Sequence, residues 1–200
     1  MAGVGSTSVP NRFFRVALDC ERMSRPRWIS VATVLALLSI LATTLVARPA
    51  AAADAALMLP GDPAIVHMIA VEQALLELTN ADRGANGLAP LDFDPETLAI
   101  ARERAAAQLG QDNLSHYDEQ GLLAFVQLLD NAVLKYGLAG ENLARGTLGS
   151  EDIIERIELA LMKSPTHRKN ILEIRYVRAA IGAATDANGR IAFAEIFRGD

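Results

Sequence analysis

Three short stretches of the sequence carry side chains that can move protons or bind a metal ion. They are Ser115-His116, Gly140-Glu141-Asn142 and the segment KSPTHRKNIL, which contains His167. Each stretch lies in a loop or at the boundary of a predicted element, where polar residues are more often functional than on the face of a helix. The chain has only three histidines, so two of them in such places are candidate site residues.

Two imidazoles and one carboxylate permit three kinds of chemistry if His116, Glu141 and His167 meet in the fold. They could bind a divalent metal such as zinc through two nitrogens and one oxygen, leaving positions for water or substrate. They could relay protons, because a neighbouring carboxylate favours the protonated imidazole near neutral pH. They could also form a hydrogen-bonded bracket that stabilises the fold without any chemistry.

A serine nucleophile is the weakest interpretation of these stretches. Ser115 and Ser164 lie near histidines, but the sequence contains no nucleophile elbow of the G-x-S-x-G type. Ser164 fits better as the N-cap of a helix that restarts at Pro165. Whether the protein is an enzyme therefore stays open, with a weak hydrolase as one alternative. The remaining histidine, His67, is interpreted as an ordinary helix residue.

The elements that must position these residues follow from apolar spacing and from turn residues. Helices are predicted at residues 65–79, from the Asp94 cap to about Leu109, at 122–135, from Ser150 onward, and from Ser164 to about Ile171. The stretch LAGENLARG is predicted to form a short strand, and two apolar runs around Asn188-Gly189 predict a hairpin. The expected fold class is α+β, an α-β-α sandwich in which helices cover a small, mainly antiparallel sheet.

The N-terminal quarter of the chain has the pattern of an export signal. Residues 28–47 are apolar and uncharged, arginines are frequent before them, and an alanine run follows. This pattern predicts a signal peptide over residues 1–53, cleaved after Ala53. The alternative is an uncleaved anchor at 28–47, which is just long enough to span a bilayer. Residues 54–64 would then form a tether and residues 65–200 the domain, either secreted or periplasmic.

Charge and cysteine content limit the partners. The chain has a net charge of −5, and removal of the arginine-rich leader makes the remainder more acidic. This charge argues against nucleic acid as a partner. Contact with a membrane is expected only through an uncleaved signal segment. The single cysteine, Cys20, lies in the leader, so the exported part has no disulfide. A monomer is expected.

An ordered set of stretches supports a resemblance to a known family. LLELTNADRGANGLAPLDFDPE, LSHYDEQG, AGENLARG, LMKSPTHRKNIL and IGAATDANGRIAFAEIFRG follow one another along the chain. In this order they resemble the bacterial branch of the CAP superfamily, the SCP-like extracellular domain. The resemblance implies an α-β-α sandwich with an open cleft, toward which His116, Glu141 and His167 point. It also implies that Asn142 braces a neighbouring loop and that Arg168 and Asn170 fix the helix of His167.

The sequence also departs from the family pattern. The segment from Leu161 to Ser164 has no carboxylate where other members place a glutamate, and Thr166 stands where a glycine is usual. Glu195 replaces a glutamine and would restore a second carboxylate to the cleft. The resemblance thus implies an exported protein whose His/Glu cleft binds an envelope-associated or extracellular ligand, with a divalent metal as an optional cofactor. The alternatives are a hydrolase of envelope peptide or glycan, and a lipid- or partner-binding module with a purely structural bracket.

Overall fold

Five helices and five strands make up the described part of the chain, which in this computed structural model comprises residues 17–24, 63–149 and 152–200. The helices are α1 (Pro63–Ala85), α2 (Pro95–Leu109), α3 (Ala124–Asn131), α4 (Ile153–Lys163) and α5 (Pro165–Ile171). The strands are β1 (Ala17–Ser24), β2 (Asp92–Phe93), β3 (Leu138–Thr147), β4 (Arg178–Thr185) and β5 (Arg190–Gly199).

The strands form one sheet in the order β1-β3-β5-β4-β2. All neighbours are antiparallel except β2 and β4, which run parallel. The predicted hairpin at Asn188-Gly189 is confirmed as the β4–β5 connection. Gly189 has a φ of +73°, and the Asp186 carboxylate accepts hydrogen bonds from the backbone N–H groups of Asn188 and Arg190.

Helices cover both faces of this sheet, which confirms the predicted α-β-α sandwich. One apolar core joins α1, α4 and α5 to the sheet, and two smaller clusters join α2 and α3 to its other face. Alternation along β5 shows why both faces are apolar, because successive residues of a strand point to opposite sides. Phe193 and Phe197 belong to the first core, whereas Ala194 and Ile196 belong to the clusters under α2 and α3.

The first helix extends past its predicted end at Thr79. The predicted helix covers residues 65–79, but α1 continues to Ala85. The buried Arg83 guanidinium explains this, because it donates to the carbonyl oxygens of Ala89, Ile171 and Glu173 and so holds the last turn against the body of the domain. Gly87, with a φ of +76°, lies in the turn that follows.

Other helix boundaries differ from the predictions by a few residues. α2 matches its predicted range, α5 ends at Ile171 as predicted, and α3 is shorter, ending at Asn131. The N-cap residue of α4 is Asp152, whereas the predicted cap, Ser150, lies outside the described residues. Asp94 occupies the predicted N-cap of α2, but its carboxylate bonds the Thr97 hydroxyl and Arg198 instead of a backbone N–H.

The strand β1 comes from the segment that the sequence analysis assigns to the leader. It pairs with β3 along its whole length, with Glu21 opposite Glu141 and Cys20 opposite Asn142. The apolar segment 28–47 and the predicted cleavage site after Ala53 lie outside the described residues. Within the described residues, no helix is long and apolar enough to cross a bilayer. The signal-peptide interpretation therefore stays a prediction.

Candidate functional site

Glu141 is the most enclosed charged side chain of the candidate site. It lies on β3 with no exposed surface. Arg104 of α2 reaches both of its carboxylate oxygens, with Nε 2.7 Å from Oε1 and Nη2 3.2 Å from Oε2. A buried carboxylate is costly unless it is paired and hydrogen-bonded. The Arg104 guanidinium supplies both the charge and the donors that Glu141 needs.

The predicted contact between His116 and Glu141 is present. The His116 Nδ1 atom lies 2.6 Å from Glu141 Oε2, and the side chain is 2% exposed. The loop that carries His116 is tied to α2, because the carbonyl oxygen of Ser115 accepts hydrogen bonds from Arg104 and Gln108. The backbone N–H of Ala124 donates to the carbonyl oxygen of His116. α2 and α3 therefore fix the position of this imidazole.

The short contact at Nδ1 assigns the tautomer of His116. A carboxylate only accepts hydrogen bonds, so Nδ1 must carry the proton that it donates to Glu141. In the neutral ring, Nε2 is then the basic nitrogen. This is the arrangement by which a carboxylate orients an imidazole that exchanges protons. Arg104 neutralises the Glu141 carboxylate that orients the His116 ring.

His167 makes a different set of contacts on α5. Its Nδ1 atom lies 2.6 Å from the Ser164 hydroxyl. Ser164 occupies the predicted N-cap position, but its side chain makes no hydrogen bond to the helix backbone. The expectation that this hydroxyl serves as the cap is therefore wrong, because the imidazole one turn later engages it instead.

Asn142 connects α5 to the centre of the sheet. Its amide donates to the carbonyl oxygen of His167 at 3.4 Å and to Glu195 Oε2 at 2.9 Å. Asn170 in turn donates to Asn142 Oδ1 at 3.1 Å and to the carbonyl oxygen of Glu141 at 3.3 Å. These bonds hold α5 against β3. Arg168 is exposed and donates to Asn86, in the turn after α1.

The predicted site residues lie on β3 and on the segments that contact its two faces, and they do not form one set of metal ligands. Glu141 and Asn142 are neighbours on a strand, so their side chains point to opposite faces of the sheet. In residues 17–24, 63–149 and 152–200, no three His, Cys, Asp or Glu side chains form a group that could hold a metal ion. The zinc hypothesis for His116, Glu141 and His167 therefore stays a prediction that this geometry does not support.

The predicted open cleft is not confirmed in the full chain. His116, Glu141 and His167 are 1%, 0% and 3% exposed. These values apply to a chain in which β1 covers the outer edge of β3, directly opposite Glu141 and Asn142. α5 also packs against β1. The site residues thus lie beside the outer edge of β3, which β1 of the same chain covers.

Gly140, which precedes Glu141, is required by a close approach. A side-chain carbon at this position would collide with the hydroxyl of Tyr176 and would crowd Asn170. Tyr176 is itself buried and stacked on Phe197, with ring centroids 5.3 Å apart. The glycine therefore allows α5 and the segment after it to approach β3, which brings Asn170 within reach of Glu141 and Asn142.

A pair of buried glutamates lies on the other face of the sheet, namely Glu195, which the sequence singled out, and Glu158, which it did not. Glu158 of α4 and Glu195 of β5 both lie 3.2 Å from the Thr79 hydroxyl of α1. Burial raises the pKa of Glu158 to about 9, and the charges of Glu195 and Asp82 add to the rise. Burial likewise raises the pKa of Glu195 to about 7.

Helical spacing could have revealed two charged residues that were not predicted to belong to the site, Glu158 and Arg104. Glu158 lies one turn from Ile154 and one from Leu161, on the buried face of α4. Arg104 shares the buried face of α2 with Ala101, Ala105 and Gln108. A charged residue at a position that the apolar pattern assigns to the core requires a partner. Arg104 finds Glu141, and Glu158 finds the Thr79 hydroxyl, and both partners lie far away in sequence.

A comparison with protein-family models identifies the fold family. Residues 76–197 match the model of the cysteine-rich secretory protein family, CAP. The chain belongs to the CAP family. Among curated proteins, YkwD of Bacillus subtilis is 31% identical over 113 residues, which are 56% of this chain and 42% of YkwD. The chain therefore spans less than half the length of this CAP relative.

Solved structures of CAP proteins show the same fold. An extracellular SCP-domain protein from Bacillus anthracis superposes with a TM-score of 0.55 at 21% identity, covering 72% of this chain and 45% of that one. An outer surface protein from Borrelia burgdorferi gives a TM-score of 0.53 at 19% identity, covering 64% of this chain and 92% of that one. At these identities the likeness concerns the fold alone.

Proposed function

We propose that this CAP protein is exported and binds an extracellular or envelope-associated ligand beside β3, between His116 and α5. Two observations outside the site support export. The first 53 residues have the pattern of a signal peptide, and two proteins of the same fold are described as an extracellular protein and an outer surface protein. The proposal does not depend on a metal.

One observation carries the binding proposal, namely the way His116 is held. Its Nδ1 atom is bound at 2.6 Å to a carboxylate that Arg104 neutralises. The ring is therefore oriented before any ligand arrives, so ligand binding does not have to order this side chain and the entropic cost of binding is smaller. Nε2 is the ring nitrogen that a ligand would engage. A ligand with a hydrogen-bond donor suits the neutral ring, and one with an acceptor suits the protonated ring.

The same contact favours a hydrolase as the second candidate. A carboxylate that fixes an imidazole through Nδ1 is the arrangement used by enzymes with a histidine general base. Ser164 contacts His167 and not His116, so the nucleophile would be water activated by His116. The substrate class would be an envelope peptide or glycan. The third alternative is a lipid- or partner-binding module in which the His/Glu contacts only stabilise the fold. It predicts that His116→Ala lowers the stability of the protein but leaves its affinity for the ligand unchanged.

Calorimetry on the exported protein tests the binding proposal. Peptidoglycan fragments, membrane lipids and peptides are titrated into the wild type and into His116→Ala. We expect a ligand whose affinity falls by about tenfold or more in His116→Ala, equivalent to about 1.4 kcal/mol. Glu119→Gln, an exposed change in the same loop, is the control and should bind as the wild type does. Equal affinities in His116→Ala and wild type would overturn the proposal.

Two further arms of this experiment separate the alternatives. If the same fragments are cleaved and Glu141→Gln abolishes turnover, the protein is a hydrolase. If zinc gives heat with the wild type and none with the His116→Ala, His167→Ala double variant, the metal hypothesis is restored. Unfolding curves of every variant identify any loss of binding that reflects only a loss of fold.

A further inference from the structure

The pairing of β1 with β3 shows what the outer edge of this sheet can accept. Eight consecutive residues, Ala17 to Ser24, lie antiparallel to Leu138–Arg145 without a bulge. Among the strands of the described residues, β1 is at the edge of the sheet and pairs with β3. The pairing of β1 with β3 runs through backbone groups, so the edge of β3 can accept another strand whatever the sequence of that strand.

Export would separate β1 from β3. Cleavage after Ala53 removes residues 17–24 from the mature chain. An uncleaved anchor at 28–47 would instead leave residues 17–24 on the cytoplasmic side and carry β3 across the membrane. In both predicted topologies, β3 becomes the edge of the sheet and exposes a row of N–H and C=O groups, which readily pair with another strand.

The exposed edge would run along the candidate site. Glu141 and Asn142 lie opposite Glu21 and Cys20, at the centre of the paired segment. The Glu141 side chain leads to His116, and α5, which carries His167, packs against β1 from the other face. A strand that replaces β1 would therefore pair beside Glu141, the residue that holds His116, and would contact α5, which carries His167.

We propose that the exported domain binds an extended peptide, which pairs with the outer edge of β3 as an added antiparallel strand. In this recognition mode, backbone hydrogen bonds supply affinity, and pockets for alternate side chains supply specificity. The length of β1 sets the peptide at about eight residues. This inference rests on the proposed function, since it names the ligand class of the same site as an extended polypeptide.

Hydrogen exchange on the exported protein tests this proposal. The protein is purified from the culture fluid, periplasm or membrane fraction, and its N-terminus is determined by mass spectrometry. The probe is a synthetic peptide with the sequence of residues 17–24, carrying Cys20→Ser to prevent oxidation. Without the peptide, we expect alternate amides of β3 to exchange quickly, namely those that do not face β5. With the peptide, the same amides should become protected.

Two N-methylated peptides provide matched controls. One is methylated at residues 17, 19, 21 and 23, and the other at 18, 20, 22 and 24. Only alternate residues of an edge strand donate hydrogen bonds to its neighbour. One methylated peptide should therefore bind about as well as the unmodified probe, whereas the other should lose about tenfold or more in affinity.

Three results would overturn the proposal. They are equal binding by both methylated peptides, a lack of peptide-induced protection in β3, and protection of all β3 amides before any peptide is added. The outcome is separate from the His116→Ala titration. A ligand that depends on His116 but leaves β3 exchange unchanged would preserve the proposed function and refute the added strand.

Discussion

The two faces of the central sheet bury glutamates to the same extent but neutralise them in different ways. Under α2, Glu141 has no exposed surface and is ion-paired with Arg104. Under α1 and α4, Glu195 and Glu158 are 1% and 3% exposed, and no arginine or lysine is among the groups that shift their pKa values. On this face, bound protons neutralise Glu158 and Glu195, whereas on the other face the Arg104 guanidinium neutralises Glu141.

This difference determines which face can respond to pH. Glu141, which holds His116, is paired with an arginine, so its burial is compensated by an ion pair and not by a bound proton. The pKa values of Glu195 and Glu158 are raised to about 7 and about 9, so both groups change protonation between neutral and moderately alkaline pH. The packing of α1 and α4 should consequently vary with pH.

The largest effect is expected from Arg104→Ala. This variant leaves Glu141 buried without its cation, and removal of one partner of a buried ion pair costs about 3–5 kcal/mol. The free energy of unfolding, measured with urea, should fall by about this amount. Arg156→Ala is the control, because Arg156 forms a surface pair with Asp152 at 3.9 Å, and such pairs contribute about 0–1 kcal/mol. A similar loss of unfolding free energy in the two variants would mean that the ion pair with Arg104 does not stabilise the buried Glu141.

The second prediction concerns the pH dependence of stability. A pKa raised in the folded state means that the folded chain keeps a proton that the unfolded chain releases. Stability should therefore fall as the pH rises from the ordinary glutamate value of 4.5 through about 7 for Glu195 and about 9 for Glu158. Asp82, the other acid near Glu158, adds to this fall as a like charge.

Glu195→Gln isolates one glutamate of this pair. Between pH 5 and pH 8, the loss of unfolding free energy should be about 2–3 kcal/mol smaller in this variant than in the wild type. Glu77→Gln, an exposed change on α1, should keep the wild-type pH dependence. A Glu195→Gln profile parallel to that of the wild type would remove the contrast between the two faces.

The smallest effect is expected from Thr79→Val, which removes the hydroxyl between the two glutamates without changing the shape of the side chain. The loss should be about 1 kcal/mol at pH 5 and should grow with pH, because the hydroxyl stabilises the ionised carboxylates. Thr97→Val is the matched control. Its hydroxyl bonds Asp94, which Arg198 already neutralises, so its cost should not change with pH. Thermal unfolding at two pH values would distinguish the variants.

The sequence predicted the fold well because local patterns encode its elements. Apolar spacing, the Asp94-Pro95 restart and Asn188-Gly189 located the helices and the hairpin. The extension of α1 could not be predicted, because it depends on the contacts of Arg83 with the distant carbonyl groups of Ile171 and Glu173. The strand β1 was not predicted either, since nothing within residues 17–24 reveals that β3 has a matching edge.

For the site, residue types were more predictable than partners. The resemblance implied that His116 and Glu141 lie close together, and they are in contact; it implied that Asn142 braces a loop, but Asn142 contacts α5 and Glu195 instead. Arg104 and Glu158 were overlooked because each was treated as part of a helix pattern and not as a charge in need of a partner. Their contacts join positions 37 residues apart in one case and, through Thr79, bring Glu158 near Glu195 in the other. Only the folded chain creates such neighbours.

Carbon-13 NMR titration of the glutamate carboxyl groups tests the contrast between the two faces most directly. Resonances assigned through Glu158→Gln and Glu195→Gln would be followed from pH 4 to pH 10. We predict two carboxyl groups with pKa values well above that of an ordinary glutamate, near 7 and 9, both lying on the α1 and α4 face. If both groups titrate below about pH 5, as exposed glutamates do, the two faces bury their acids in the same way and the account is contradicted.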